Sequence, residues 1–351
     1  MTSTVTPARI AAATQLVAAG RHRRSRRRII AVIALAAGVL VVFTLSLIFG
    51  HTTYSLTDVL RVIAGQEVAG ASFTVGELRL PRATLAVLSG FAFGIAGVTF
   101  QSLLRNPLAA PDIIGISSGA SAAAVVAIIL LSWSPTAVSL AALAGALVTA
   151  LAIYLLSRRG SFAGARLILI GIGIAAMLDS FITYVLSRAA AWDVQTAMQW
   201  LTGSVNGANW GSIRPLAIAV AVIAPLIFMQ ARNFAALGLG DDAAAALGVR
   251  VERTRLTLVL GAVGLMAFGT AGSGPIAFVA FMAGPIAGRI VGAGRPPLLA
   301  AGLVGALLVL IGDFLGQYAF GTRYPVGVVT GALGAPFLIY LLIRTYRAGG
   351  S

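Results

Sequence analysis

Apolar residues run along this chain in long blocks, and arginine, proline and glycine mark the gaps between them. The first block, from Ile29 to Phe49, follows a polar head of 28 residues ending in Arg21, Arg23, Arg24, Arg26, Arg27 and Arg28. A hydrocarbon core is about 30 Å thick, and a helix of about 20 apolar residues crosses it. Further blocks predict spans at 83–103, 114–132, 137–157, 167–187, 213–231, 256–274, 276–291, 298–317 and 325–343, ten with the first. A cleaved signal peptide has an apolar region of about 7–15 residues and a small-x-small cleavage site. The first block is longer, and Gly50-His51-Thr52-Thr53 behind it is a poor site, so it reads as an uncleaved span. The pattern is weakest at 272–285, where Gly274, Pro275, Gly284 and Pro285 interrupt it. Spans seven and eight can therefore be one broken element with a turn at bilayer depth, which is tolerated only where protein or a cavity satisfies the freed backbone.

The arginines orient this pattern. With the N-terminus inside, the inner side receives the N-terminal cluster and Arg105, Arg158, Arg159, Arg166, Arg232, Arg250, Arg253, Arg255, Arg289, Arg295, Arg344 and Arg347. Only Arg61, Arg79, Arg82, Arg188, Arg214 and Arg323 fall outside. This is the bias expected of loops kept in the cytoplasm, and one span more or fewer in the middle would scramble it. The expected fold is an all-α polytopic membrane protein of about ten helices with both termini cytoplasmic. A basic tail, 1–28, precedes a single transmembrane domain, 29–347, with outer segments at 50–82 and 188–212 and an inner loop at 232–255. Glycines at helical spacing, such as Gly90, Gly94 and Gly97, are expected to let helices approach closely.

Composition narrows the chemistry. Hydrophobic residues make up 59% of the 351 and charged residues 10%, with a mean hydropathy of +0.97. Cysteine is absent, which removes disulfides, thiolate metal sites and thiol nucleophiles. The two histidines, His22 and His51, lie in the tail and just past the first span, so a metal or haem ligand inside the bundle is not expected. Lysine is absent as well, and the phosphate-binding loop G-x-x-x-x-G-K-[ST] cannot be written without it. Any ATP hydrolysis must come from another chain. The net charge of +15 punctuates apolar runs instead of forming a soluble basic face with interleaved aromatics, so nucleic acid is not an expected partner.

Three segments stand out. Leu78-Arg79-Leu80-Pro81-Arg82 opens a glycine-rich span that leads to Gln101 and then to Arg105-Asn106-Pro107-Leu108-Ala109 and Pro111-Asp112-Ile113-Ile114-Gly115. The Asn-Pro step and second proline force a non-helical inner connection, a rigid re-entry loop. In the inner loop, Asp241 and Asp242 precede four alanines, Leu247 and Gly248. Asp241 is suited to cap the helix, Asp242 to its positive first turn and Gly248 to the left-handed residue after its end. The predicted short helix with little apolar anchoring suits a partner's groove, although a plain connecting helix would read the same. The third segment comprises Gly312-Asp313 and Tyr324-Pro325-Val326-Gly327-Val328-Val329-Thr330-Gly331.

In this order, and with Trp200 to Gly203, Trp210, Ala246 to Val249 and Gly274 to Val279, these segments resemble the ten-span permease family of vitamin B12, haem and ferric-siderophore ABC importers. The resemblance runs from about Leu78 to Leu342. It implies a non-catalytic subunit of the cytoplasmic membrane working with a second permease, either a copy of itself or a relative. Two cytoplasmic ATP-binding subunits, an extracytoplasmic binding protein and a ferric siderophore as transient cargo, with haem and cobalamin as alternatives, complete the implied system. No cofactor is implied. Arg79 and Arg82 would receive acidic residues of the binding protein, although anchoring at the membrane interface would also place arginines there. The loop Asp241, Asp242, Ala245, Leu247 and Gly248 would receive the ATPase stroke. Span five and its outer extension, through Trp200 and Gly203, would line the path. Two departures are visible. The family's histidine after Gly-Pro-Ile is missing at Gly284-Pro285-Ile286-Ala287-Gly288-Arg289, and an outward arginine of span nine reads Gln317, with Arg323 nearby as a substitute.

Two carboxylates fall at membrane depth, Asp179 and Asp313, where an ionisable group costs about 2.5–3.5 kcal/mol to insert and usually faces a cavity or partner. Asp313 is read as a structural hydrogen-bonding group. Asp179 either lines the path or bonds a hydroxyl such as Ser180. A proton-coupled transporter would have only these two acids as relays, and a membrane enzyme would lack any Ser/His/Asp set within the bundle.

Overall fold

The computed structural model describes residues 7–109, 115–157, 164–292 and 294–349. Among these every regular element is helical. In chain order they are α1 (Pro7–Ile48), α2 (Leu56–Ile63), α3 (Leu80–Leu103), α4 (Ile116–Val125), α5 (Pro135–Ser157), α6 (Gly164–Arg188), α7 (Ala191–Leu201), α8 (Trp210–Met229), α9 (Ala231–Leu237), α10 (Asp241–Ala246), α11 (Val251–Ser273), α12 (Val279–Val291), α13 (Leu298–Tyr318) and α14 (Val326–Gly349). Wider π turns lead into α3 over Ser72–Arg79 and extend α4 over Val126–Leu130.

Eight of these elements are long and apolar enough to cross a bilayer, and Ile116–Leu130 and Val279–Val291 are shorter apolar helices. Together they match the ten expected spans to within a few residues, with two differences. The basic tail, expected only as a polar head, continues the first span as one helix from Pro7. The span after it starts before Ala83, because Pro81 sits in the first turn, where its missing N–H costs nothing. Gly274 to Phe278 separates α11 from α12, so spans seven and eight are two helices. The inner turn at Pro111 to Ile114 and the arginines Arg158 and Arg159 lie outside the described residues, as do residues 1–6 of the tail.

The core is built around α3, which packs against α13, α11, α12 and α8. Its glycine face makes this possible. A Cβ at Gly90, Gly94 or Gly97 would overlap the backbone of Gly305, Ala301 or Ala280, respectively. Lipid tails give apolar helices no hydrophobic reason to associate, so close backbone approach supplies the packing.

At 13 residues, α12 is about 20 Å long and cannot span the core alone. Pro285 removes the N–H that would have bonded the Phe281 carbonyl four residues back. Gln101, buried on α3, donates its Nε2 to that carbonyl at 2.9 Å. At its far end Arg27 of α1 donates to the carbonyls of Arg289 (2.9 Å) and Ile290 (3.1 Å). Cationic donors at a helix C-terminus satisfy orphan carbonyls and complement the dipole. The chain thus has a basic end, carrying the tail, Arg105, α9 and α10, and an opposite end, carrying Arg79, Arg82 and Arg323.

Candidate functional site

The opposite end is organised by two arginines that point inward. Arg79 closes the π turn before α3 and donates to the carbonyls of Leu47 and Ile48 at 2.9 Å each and of Thr52 at 2.6 Å. Its guanidinium also lies over the Tyr54 ring, 5.1 Å from the centroid. It therefore caps the carbonyl end of α1, where the helix has no further N–H of its own to offer. Arg82, one turn on, forms a fork with Asp313 of α13. Its Nε donates to Oδ2 at 2.9 Å and its Nη2 to Oδ1 at 2.8 Å, while Nη1 donates to Asn206 Oδ1 at 3.0 Å. Gln317 adds a bond from Nε2 to Asp313 Oδ2 at 2.8 Å. Asp313 is 5% exposed, and this bidentate geometry offsets the desolvation of a buried carboxylate. Arg323 is exposed and its guanidinium meets His51.

All three expected docking arginines thus lie at one end, but Arg79 and Arg82 are half-buried and engaged with the chain itself. The hydrogen-bonding reading of Asp313 matches its surroundings. Sequence reasoning did not name Asn206 as a partner, and nothing near it in the chain pointed to Arg82. Gln317 stands four residues after Asp313, the spacing that brings helix side chains together, and that signal was available.

At the basic end, the segment after α3 turns at Arg105, whose φ is +50°. Asn106 Oδ1 accepts from the Leu108 N–H at 2.9 Å, a turn made by the asparagine side chain just before Pro107 can continue it. Arg105 Nη2 donates to the Leu237 carbonyl at 2.9 Å and lies 3.8 Å from Asp241. Arg255 of α11 binds the same carboxylate at 2.9 and 3.0 Å. Asp241 was expected as the cap of α10. Gly240 holds the capping position instead, and Asp241 is the first helical residue with its carboxylate turned to two arginines. A charge pair across elements outcompetes a local cap here. The far end follows expectation: Gly248 has φ +81°, its N–H donates to the Ala245 carbonyl at 2.9 Å, and Val249 donates to Ala244 at 3.0 Å. These two bonds make the paired C-terminal motif that glycine permits. Only Ala244 of α10 is buried; Asp242, Ala245 and Gly248 are exposed, and Leu239 and Leu247 are 69% and 65% exposed.

The third set concerns α6. Asp179 and Ser180 are both exposed on it, amid exposed Ile172, Met177, Phe181 and Tyr184. Ser180 donates its hydroxyl to Ala176 O at 2.8 Å, so it does not hold Asp179. The Asp179 carboxylate has no hydrogen-bonding or ionic partner among the described residues. An ionisable group at membrane depth usually faces a cavity or a partner, and Asp179 stands on an exposed face of α6.

Trp200 and Gly203 are the other two residues expected to line the path. Trp200 lines a half-open cavity of about 390 Å³ with Trp133, Gln199, Ser204 and Asn206. Gly203 is buried, with φ +71° and its carbonyl accepting from Gly327 at 3.1 Å, while Ser204 donates to Ser273 O at 2.8 Å. A Cβ there would stand 2.5 Å from the Pro275 carbonyl. Gly203 therefore clasps the break after α11 to the start of α14 and presents no surface to a cargo. Among the described residues no cluster of His, Cys, Asp and Glu is suited to a metal ion.

Residues 38–344 match the FecCD transport family. The chain is 41% identical over 324 residues to the ferric enterobactin transport system permease protein FepG of Escherichia coli (strain K12), covering 92% of this chain and 98% of that one. It is also 41% identical over 310 residues to the achromobactin transport system permease protein CbrC of Dickeya dadantii (strain 3937), covering 87% and 89%. The cobalamin import system permease protein BtuC of Halobacterium salinarum is 33% identical over 274 residues, 78% of this chain and 74% of that one. In three dimensions the fold is similar to a metal-chelate type ABC transporter in an inward-facing conformation, with a TM-score of 0.80 at 23% identity over 89% of this chain and 98% of that one. With its helices, their order and most of its length accounted for in this way, the chain belongs to the FecCD transport family.

Proposed function

We propose that the chain is the membrane-spanning permease subunit of an ATP-driven importer that carries a ferric siderophore or a related iron chelate across the cytoplasmic membrane. The observation that carries this reading is α10, a short exposed helix held at its first residue by Arg105 and Arg255 and ended by Gly248. The clamp ties the helix to the loop after α3 and to α11, so a push on α10 reaches two core helices. Exposed Leu239 and Leu247 give an ATP-binding subunit an apolar surface to grip. The basic end is then cytoplasmic, in keeping with the arginine distribution. A second permease covers the Asp179 face of α6, and a binding protein delivers cargo at the opposite end, with Arg79, Arg82 and Arg323 as its contacts. Since Arg79 and Arg82 are engaged internally, an incoming carboxylate would have to compete for them, which leaves Arg323 the readier contact. The iron-chelate cargo rests on the ferric enterobactin and achromobactin permeases that the chain resembles.

Uptake tests this. In a deletion strain complemented with the chain and its partner subunits, radio-iron presented as a catecholate or hydroxamate siderophore is expected to enter, with labelled haem and cobalamin excluded. Leu247→Asp is expected to abolish entry at normal membrane levels. Entry of cobalamin alone would transfer the cargo to the class named for the Halobacterium relative. Undiminished uptake in Leu247→Asp would remove α10 as the coupling element.

A further inference from the structure

The outward stripe of α1 does not stop where its apolar residues stop. Ile29, Ile30 and Ile33 are 57%, 56% and 62% exposed, and Leu40 and Val41 continue the stripe at 66% and 56%. At 3.6 residues per turn, His22 and Arg26 share the face of Ile29, Ile30 and Ile33, and Arg23 stands one heptad before Ile30. The other face is occupied. Arg27 and Arg28 donate to carbonyls of Arg289, Ile290 and Arg295, and Ala31 and Leu35 beyond them are buried. His22, Arg23 and Arg26 are exposed and have no hydrogen-bonding or ionic partner among the described residues. The sequence supplies no local counter-charge either, since its first acidic residue is Asp58.

Depth points to the missing partner. At 1.5 Å per residue, Arg26 lies about 4–5 Å and Arg23 about 9 Å beyond Ile29 along the helix, whereas the headgroup layer outside the hydrocarbon is about 5–8 Å thick. Both side chains are long enough to lay their stems along the helix and their guanidinium groups among the phosphates.

We propose that Arg23 and Arg26, with His22 beside them, form a binding site for the headgroup of an anionic phospholipid in the leaflet at the basic end. The guanidinium fork matches two oxygens of a phosphate, and the exposed isoleucines directly below provide an apolar track for the acyl chains. That continuity selects a lipid over free phosphate, which has no use for the track. The site is independent of the cargo and of the partner subunits, because it needs only that α1 spans the membrane.

The test uses the full-length protein in detergent, where the history of insertion no longer matters, titrated with phosphatidylglycerol or phosphatidylcholine and followed by native mass spectrometry. A basic residue at an anionic surface strengthens association about five-fold, so two give the wild type a preference for phosphatidylglycerol of about thirty-fold. Arg23→Gln/Arg26→Gln is expected to lose most of it. Arg23→Lys/Arg26→Lys should keep a preference above the glutamine variant's, and Arg61→Gln, at the opposite end, should keep all of it. Equal retention of the two lipids by the wild type, an unaltered preference in the glutamine variant, equal values for the glutamine and lysine variants, or displacement of phosphatidylglycerol by an equal concentration of inorganic phosphate would each overturn the proposal.

Discussion

Arg79 and Arg82 carry the same group three residues apart, yet the structure gives them different work. Arg79 satisfies carbonyls that end a helix, and Arg82 neutralises a carboxylate buried on another. Breaking a buried pair from one side leaves an uncompensated charge, at a cost of about 3–5 kcal/mol, whereas replacing both partners with apolar groups is often close to neutral. Asp313→Leu is therefore expected to lower the thermal unfolding temperature in detergent sharply, and Arg82→Leu/Asp313→Leu to restore much of it. A double variant as unstable as the sum of the singles would mean that the fork contributes nothing as a pair. The arginines and the aspartate were conspicuous in the sequence as charges beside or within apolar blocks. Their mutual pairing was not, because 231 positions separate them and only the packing of α3 on α13 brings them together.

At the scale of elements, the proline inside α12 is answered through the glycine face of α3. A proline in a membrane helix frees a carbonyl that no water reaches, and a neighbouring helix must answer it. Gln101 does so from α3, which lies close enough because Gly97 admits the backbone of Ala280. Gln101→Leu keeps the approximate volume and removes the donor, so a destabilisation of about 1–3 kcal/mol is expected for the orphaned Phe281 carbonyl. Thermal unfolding in detergent would report it, and an unchanged midpoint would show that another group had taken over the carbonyl. Periodicity and length located nearly every span, since apolar blocks of fixed length are what the bilayer demands. The cap of α10 was misread for the opposite reason: Asp241 is adequate for a local cap, and the competing arginines come from elsewhere in the chain.

At the scale of the whole molecule, α3 is enclosed while the outer face of α6 is bare. Met177, on that face, is 73% exposed, and Asp179 has no hydrogen-bonding or ionic partner among the described residues. If a second copy covers α6, Met177→Cys should be joined to its counterpart by a short bifunctional thiol reagent, giving a product at twice 35.8 kDa. The native chain has no cysteine, so the background is clean. An adduct of another mass would identify a related permease, and no adduct in native membranes would remove a second permease from this face.

The membrane class, the number and approximate limits of the spans, the expected orientation and the need for an ATPase on another chain were legible in the residues alone. These follow from local quantities: apolar run length, arginine placement and the absence of lysine and cysteine. Tertiary structure alone decided that Arg82 belongs to Asp313, that Asp241 is held by Arg105 and Arg255, that Gly203 is a buried clasp, and that no described residue covers Asp179. Each of those depends on side chains far apart in the chain meeting at one place, and periodicity says which face a residue occupies but not what stands opposite it.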